Sequence, residues 1–81
     1  MSISKGMRTA YAIVIELTDN CAFTAYAPDL PDCRAIGETA EEAEANLREA
    51  ITFHIDQRLR RGEPIPAPVT RTIYLEFEIT R

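Results

Sequence analysis

In a chain of 81 residues any chemistry must come from a handful of side chains, and the carboxylates come first. Two-metal hydrolysis needs several carboxylates converging on ions about 3.5–4 Å apart. Glu16 stands near the end of one apolar run, and Glu76 and Glu78 share the polar side of another. Glu38, Glu41, Glu42 and Glu44 crowd one stretch, where capping and the helix dipole account for them. The set reads as solvated faces and a helix start, not as a metal centre. His54, the only histidine, sits beside Ile51 and Ile55 with no nucleophile or carboxylate at a useful spacing. Cys33 has no histidine or cation set beside it to hold a thiolate. Asp29 and Asp32 lie in a proline-rich loop, where acids more often bond nearby backbone than bind a cation. Gly6, Gly37 and Gly62 are isolated, so no phosphate loop can be built from them. No catalytic, cofactor-binding or metal-ligating residue is therefore expected, and function should rest on a surface.

Composition points the same way. Hydrophobic residues make up 46% of the chain, which is enough for one globular domain spanning 1–81. A domain this small has a thin core, and oligomerisation is one way to stabilise it. A net charge of −4 suits a basic protein partner better than direct contact with nucleic acid. No stretch has the length of a signal peptide or membrane span, so a cytoplasmic protein is expected. Cys21 and Cys33 form no metal pattern and read as free thiols.

The elements that must position a surface follow from periodicity. Residues 1–7 read as a flexible tail. Arg8–Leu17 reads as an interior strand, with Tyr11, Ile13, Ile15 and Leu17 on one face and Ala10, Ala12, Val14 and Glu16 on the other. Thr18-Asp19-Asn20 makes a turn into a second strand, Ala22–Ala27. Pro28–Cys33 interrupts the ladder, leaving a short third strand at Arg34–Ile36. Thr39–Arg61 is the one helix: Thr39 caps it, Glu42 completes a capping box, and Gly62 and Pro64 stop it. Its apolar stripe is Ala40, Ala43, Leu47, Ala50, Ile51, Ile55 and Leu59. Gly62–Pro68 is a stiff connector. Thr72–Ile79 alternates, with Ile73, Leu75, Phe77 and Ile79 on one side and Tyr74, Glu76 and Glu78 on the other, as a half-buried strand does. The order β-β-β-α-β predicts an α+β fold: a small mixed sheet, the helix on one face, and the last strand parallel to the first.

The run YAPDLPDCRAIGETAEEAEANLREAI, followed by GEPIPAP, resembles the HicB-like antitoxin domain. The residues that carry the resemblance are Tyr26, Pro28, Asp29, Leu30, Pro31, Cys33, Gly37, Thr39, Glu42, Ala43 and Gly62–Pro66. Asp32 stands where the family often has glycine. The resemblance implies a partial RNase H-like fold. It also implies a non-catalytic role as the antitoxin that neutralises a small, basic, mRNA-cleaving, HicA-like toxin. The first strand lacks the aspartate that an RNase H site would want at its middle. Many family members continue into a DNA-binding domain. This chain stops at Arg81, so operator binding is not expected of it. The alternative is a self-associating scaffold or ligand-binding domain that has lost the antitoxin role.

Two surfaces are expected. The stiff, anionic loop suggests partner contacts at Tyr26, Asp29, Leu30 and Asp32. Phe53 falls about 120° from the centre of the helix stripe. With Val14 and Tyr26 it suggests the interface of a homodimer or higher homo-oligomer.

Overall fold

The computed structural model describes residues 8–80, so the expected tail at 1–7 lies outside the described residues. Three strands, β1 (Val14–Leu17), β2 (Phe23–Ala27) and β3 (Leu30–Gly37), precede one helix, α1 (Ala40–Arg61). The sheet is antiparallel in the order β1-β2-β3, and α1 covers one face, chiefly over β3 and β2. The α+β class and the strand-strand-strand-helix order agree with the sequence reading.

The β1–β2 hairpin closes on Thr18–Cys21. The Thr18 amide donates to the Ala22 carbonyl at 2.7 Å and the Cys21 amide to the Thr18 carbonyl at 3.2 Å. Cys21 takes a left-handed φ of 62°, the position that a three-residue hairpin loop usually gives to glycine. Val14 pairs with Tyr26 and Leu17 with Phe23. The strand is shorter than expected and begins only at Val14, opposite Tyr26; beyond Ala27 β2 has ended, so residues 8–12 find no neighbouring β2 backbone.

β3 is longer than expected. It starts at Leu30, directly after the turn at Pro28-Asp29. The register jumps between Tyr26, paired with Arg34, and Ala27, paired with Leu30. That irregularity absorbs Pro31-Asp32-Cys33 without ending the strand. Because β3 is an edge strand, Pro31 can sit in it without breaking an inner ladder.

The helix has the caps its sequence announces. Thr39 Oγ1 accepts from the Glu42 amide at 3.0 Å, while Glu42 Oε1 accepts from the amide of Glu38, one residue earlier than in a standard capping box. At the other end Gly62 has φ 71°. Its amide donates to the Leu59 carbonyl at 3.2 Å and the Glu63 amide to the Arg58 carbonyl at 2.8 Å, a Schellman closure. Of the stripe, Ala43 and Leu47 are buried and Ala40, Ala50, Ile51 and Ile55 half-buried. Leu59 is 63% exposed because the helix runs past the sheet.

The core is small: Ala25, Ala27, Leu30, Cys33, Ala43 and Leu47. Leu30 and Leu47 are its only large, fully buried side chains among the described residues. Helix and sheet approach closely at Gly37, where a Cβ would lie 2.8 Å from the Glu42 carbonyl carbon and 2.9 Å from Ala43 Cα.

One expectation needs correction. Residues 72–80 form no strand, and every one of them is exposed. The sheet is therefore three-stranded and wholly antiparallel among the described residues, and β1, expected in the interior, is an edge. The pattern of alternation is there, but among the described residues no strand pairs with it.

Candidate partner-binding surface

The side chains that could have done chemistry are otherwise engaged. His54 Nε2 accepts from Arg58 Nε at 2.9 Å, and Arg58 Nη1 donates to the Pro64 carbonyl at 3.0 Å. This pair closes the helix end against the connector. Cys33 is buried. Burial, with the nearby negative charge of Asp32, pushes its thiol above the ordinary value, the opposite of what a nucleophile requires. Cys21 is exposed, and both thiols are free. Among the described residues no three His, Cys, Asp or Glu side chains are grouped to hold a metal ion.

Asp29 is a staple for the connector. Its Oδ2 accepts from the amides of Val69 at 2.9 Å and Thr70 at 3.0 Å, and its Oδ1 accepts from Thr70 Oγ1 at 2.7 Å. The Thr70 hydroxyl is the main reason its carboxyl is held below the ordinary value. Tyr11 adds a second staple by donating its hydroxyl to the Pro66 carbonyl at 2.5 Å.

The four residues expected at a partner surface thus separate. Leu30 is 1% exposed and belongs to the core, and the acceptors of Asp29 are occupied within the chain. Tyr26 and Asp32 remain reachable. Tyr26 lies on the sheet face away from α1, since its neighbours Ala25 and Ala27 point into the core. Arg34, its partner in register, sets its guanidinium 5.1 Å from the Tyr26 ring centroid, within cation–π range. Val14 flanks Tyr26 on the other side. Thr24 pairs with Glu16 on one side and Ile36 on the other, and Ile36 is 65% exposed. The outer face therefore carries Val14, Tyr26, Arg34 and Ile36 edged by Glu16 and Asp32. Arg34 and Ile36 are the members that sequence reading missed; the alternation of Arg34-Ala35-Ile36 was the available signal.

The three residues expected at an oligomer interface do not form one patch. Val14 and Tyr26 are cross-strand neighbours on the outer sheet face. Phe53 is 65% exposed, beside Arg48, Glu49, Thr52 and Asp56 on the solvent side of α1, with helix and sheet between it and the others.

A second apolar surface lies on the helix side. Because α1 sits over β3 and β2, it leaves a groove of about 560 Å³ toward β1. Tyr11, Ile13 and Ile15 form one wall and Leu47, Ile51 and Ile55 the other.

Known proteins share this arrangement. The crystal structure of the N-terminal domain of Burkholderia pseudomallei antitoxin HicB superposes with a TM-score of 0.67 and 29% identity, over 73% of this chain and 69% of that one. An uncharacterized 14.9 kDa protein from the rep-hol intergenic region of Haemophilus phage HP1 is 36% identical over 76 residues, 86% of this chain. The aligned region is 56% of the length of that phage protein. UPF0150 protein ssr1765 of Synechocystis is 32% identical over 56 residues, covering 69% of this chain and 71% of its own length. No helix among the described residues is long and apolar enough to cross a membrane. The model of the HicB_like antitoxin of bacterial toxin-antitoxin system matches residues 11–76, a span that takes in the hairpin, the Asp29 turn, the capped helix and the stapled connector, and the chain belongs to that family.

Proposed function

We propose that this chain is a non-catalytic antitoxin that acts in the cytoplasm by covering a small, basic, HicA-like mRNA-cleaving toxin. The observation that carries the reading is the outer face of the sheet. An aromatic ring under a guanidinium, two apolar neighbours and flanking acids lie together on a rigid three-stranded platform. Aromatic and arginine side chains are what interface centres are made of. The net charge of −4 would steer a basic partner toward it. The engaged state of His54 and the buried state of Cys33 support binding over turnover.

The test is co-expression with a small, basic, HicA-like toxin, followed by co-purification and an RNA-cleavage assay. Wild type should bind that protein and suppress cleavage. Tyr26→Ala and Asp32→Lys should weaken binding by about tenfold or more while leaving the fold intact by circular dichroism. Binding without any effect on cleavage would replace this reading with that of a scaffold.

A further inference from the structure

Over the sheet, the inner row of α1 is apolar: Leu47 is buried and Ile51 half-buried. About two helical turns further on, the same row carries His54 and Arg58, both half-buried. The row turns polar where the helix runs past the sheet and meets the connector. His54 Nε2 accepts from Arg58 Nε at 2.9 Å, and Arg58 Nη1 donates to the Pro64 carbonyl at 3.0 Å. Imidazole, guanidinium and connector backbone thus form one relay.

Nε2 can accept only while it holds no proton, so the imidazole must be neutral with its proton on Nδ1. A guanidinium keeps its charge and has no lone pair to offer in return. A proton and Arg58 therefore compete for the same lone pair. Nothing facing the pair offsets a second positive charge. β3 brings Cys33 and Asp32; the thiol is buried and pushed toward its protonated form, and both Asp32 and Arg58 act on it. The connector brings Glu63 and the Pro64 carbonyl. On α1 itself Asp56 is taken up by Arg60, and Arg61 adds only positive charge. Among the described residues the ion pairs are Arg48–Glu44 and Arg60–Asp56, so no carboxylate is paired with His54 or Arg58. His54 also lies about two turns from the helix end, beyond the reach of the terminal dipole.

We infer that His54 and Arg58 form a proton-operated latch between the end of α1 and the connector. While the imidazole is neutral it orients the guanidinium, and the guanidinium holds Pro64. When Nε2 takes a proton, its N–H faces the Nε–H of Arg58 and two cations meet at hydrogen-bond distance. The guanidinium turns away and Pro64 is released. The latch is closed above the imidazole titration and opens as pH falls through it. Imidazole is the side chain that changes charge between about pH 5 and 8, whereas Asp29, held below 3.8, stays ionised through that range. Release is therefore local. Tyr11 still holds Pro66, and Asp29 still holds Val69 and Thr70, so the freed stretch lies between the Gly62 cap and Pro66.

The test uses the full chain and nitrogen-15 NMR from about pH 7.5 to about pH 5. At the upper end the imidazole should carry its proton on Nδ1, and the Arg58 Nε–H should give a slowly exchanging signal. As His54 protonates, that signal should be lost. The heteronuclear NOE of the Ile65 amide should fall with the same midpoint, while that of Thr70 stays level. His54→Gln, whose side-chain oxygen accepts at every pH, should keep the Arg58 signal and the Ile65 value throughout. Arg58→Gln should show the low Ile65 value at both ends of the range. An Ile65 value that holds steady while His54 titrates overturns the inference. So does an equal fall in His54→Gln, an imidazole with its proton on Nε2 at neutral pH, or one that takes up no proton across the range.

Discussion

Replacing Gly37 by alanine separates two physical reasons for a glycine. The backbone of Gly37 is outside the left-handed region, so alanine loses nothing in conformation there. In open space it would gain, because glycine in a strand interior costs roughly 0.5–1 kcal/mol relative to alanine. The space is not open. The added Cβ would fall 2.8 Å from the Glu42 carbonyl carbon and 2.9 Å from Ala43 Cα, where ordinary contact begins at about 3.5 Å. These are backbone atoms in the first turn of α1, so no rotamer relieves the overlap. Helix and strand must move apart by several tenths of an ångström, which loosens Ala43 and Leu47 against Ala25 and Cys33, four of the six core residues. Overpacking of this kind costs about 1–3 kcal/mol. With the conformational gain subtracted, a net loss of about 1.5 kcal/mol is expected, a fall in Tm of about 6–12 °C for a domain of this size. Urea and thermal unfolding followed by circular dichroism measure it. A Gly37→Ala protein as stable as wild type, or more so, would refute the claim that the helix and β3 touch at this point.

Cys21, held at φ 62°, should accept glycine with a gain of about 0.5–1 kcal/mol, since the left-handed conformation costs a side-chain-bearing residue about 1–2 kcal/mol; a loss in urea unfolding would contradict the loop geometry. Of the two free thiols, Cys21 is exposed and should react with a disulfide reagent in the native protein. Cys33, buried and with its thiol pushed up, should react only on unfolding. Equal rates would refute its placement in the core. Asp29 has a carboxyl held below the ordinary 3.8, so its stabilisation is complete above that pH and is lost as pH falls through the lower folded value. The stability gap between wild type and Asp29→Asn should be level near neutrality and shrink below about pH 4; a gap that stays constant into strong acid would dismiss the staple.

Local signals were legible and non-local ones were not. The helix could be read because Thr39, Glu42 and Gly62 act on their own neighbours and because Ala43, Leu47 and Ile51 repeat at helical spacing. The two faces of β2 could be read because alternation is itself local. The length of β3 could not: whether Pro31-Asp32-Cys33 ends a strand or is absorbed beside it depends on β2 across the ladder. Leu30, in a turn rich in proline and aspartate, looked like a surface residue and is instead one of the two large core side chains. Of the candidate surface, Val14 and Tyr26 came together as their alternation implied. Phe53 did not join them, since helix phase says which side chains leave the stripe but not what lies behind the sheet. The alternation of residues 72–79 gave a conformational preference, and no pattern within one segment says whether a neighbouring strand edge is there to meet it.

The proline-aspartate turn and the proline-rich connector have a joint explanation in the hydrogen bonds that hold the connector in place. Asp29 reaches Thr70 across 41 positions, Tyr11 reaches Pro66 across 55, and Arg58 reaches Pro64 at the helix end. Prolines in the connector have no amide of their own to satisfy, so their carbonyls are what Tyr11 and Arg58 grip, and Asp29 takes the first two amides after the last proline. A connector fixed at three places does more than return the chain to the sheet edge. It sets the starting direction of residues 72–79. Asp29→Asn should release the amides of Val69 and Thr70 to hydrogen exchange while the core stays protected, whereas Gly37→Ala, which loosens the core without touching the connector, should speed exchange of the core amides instead.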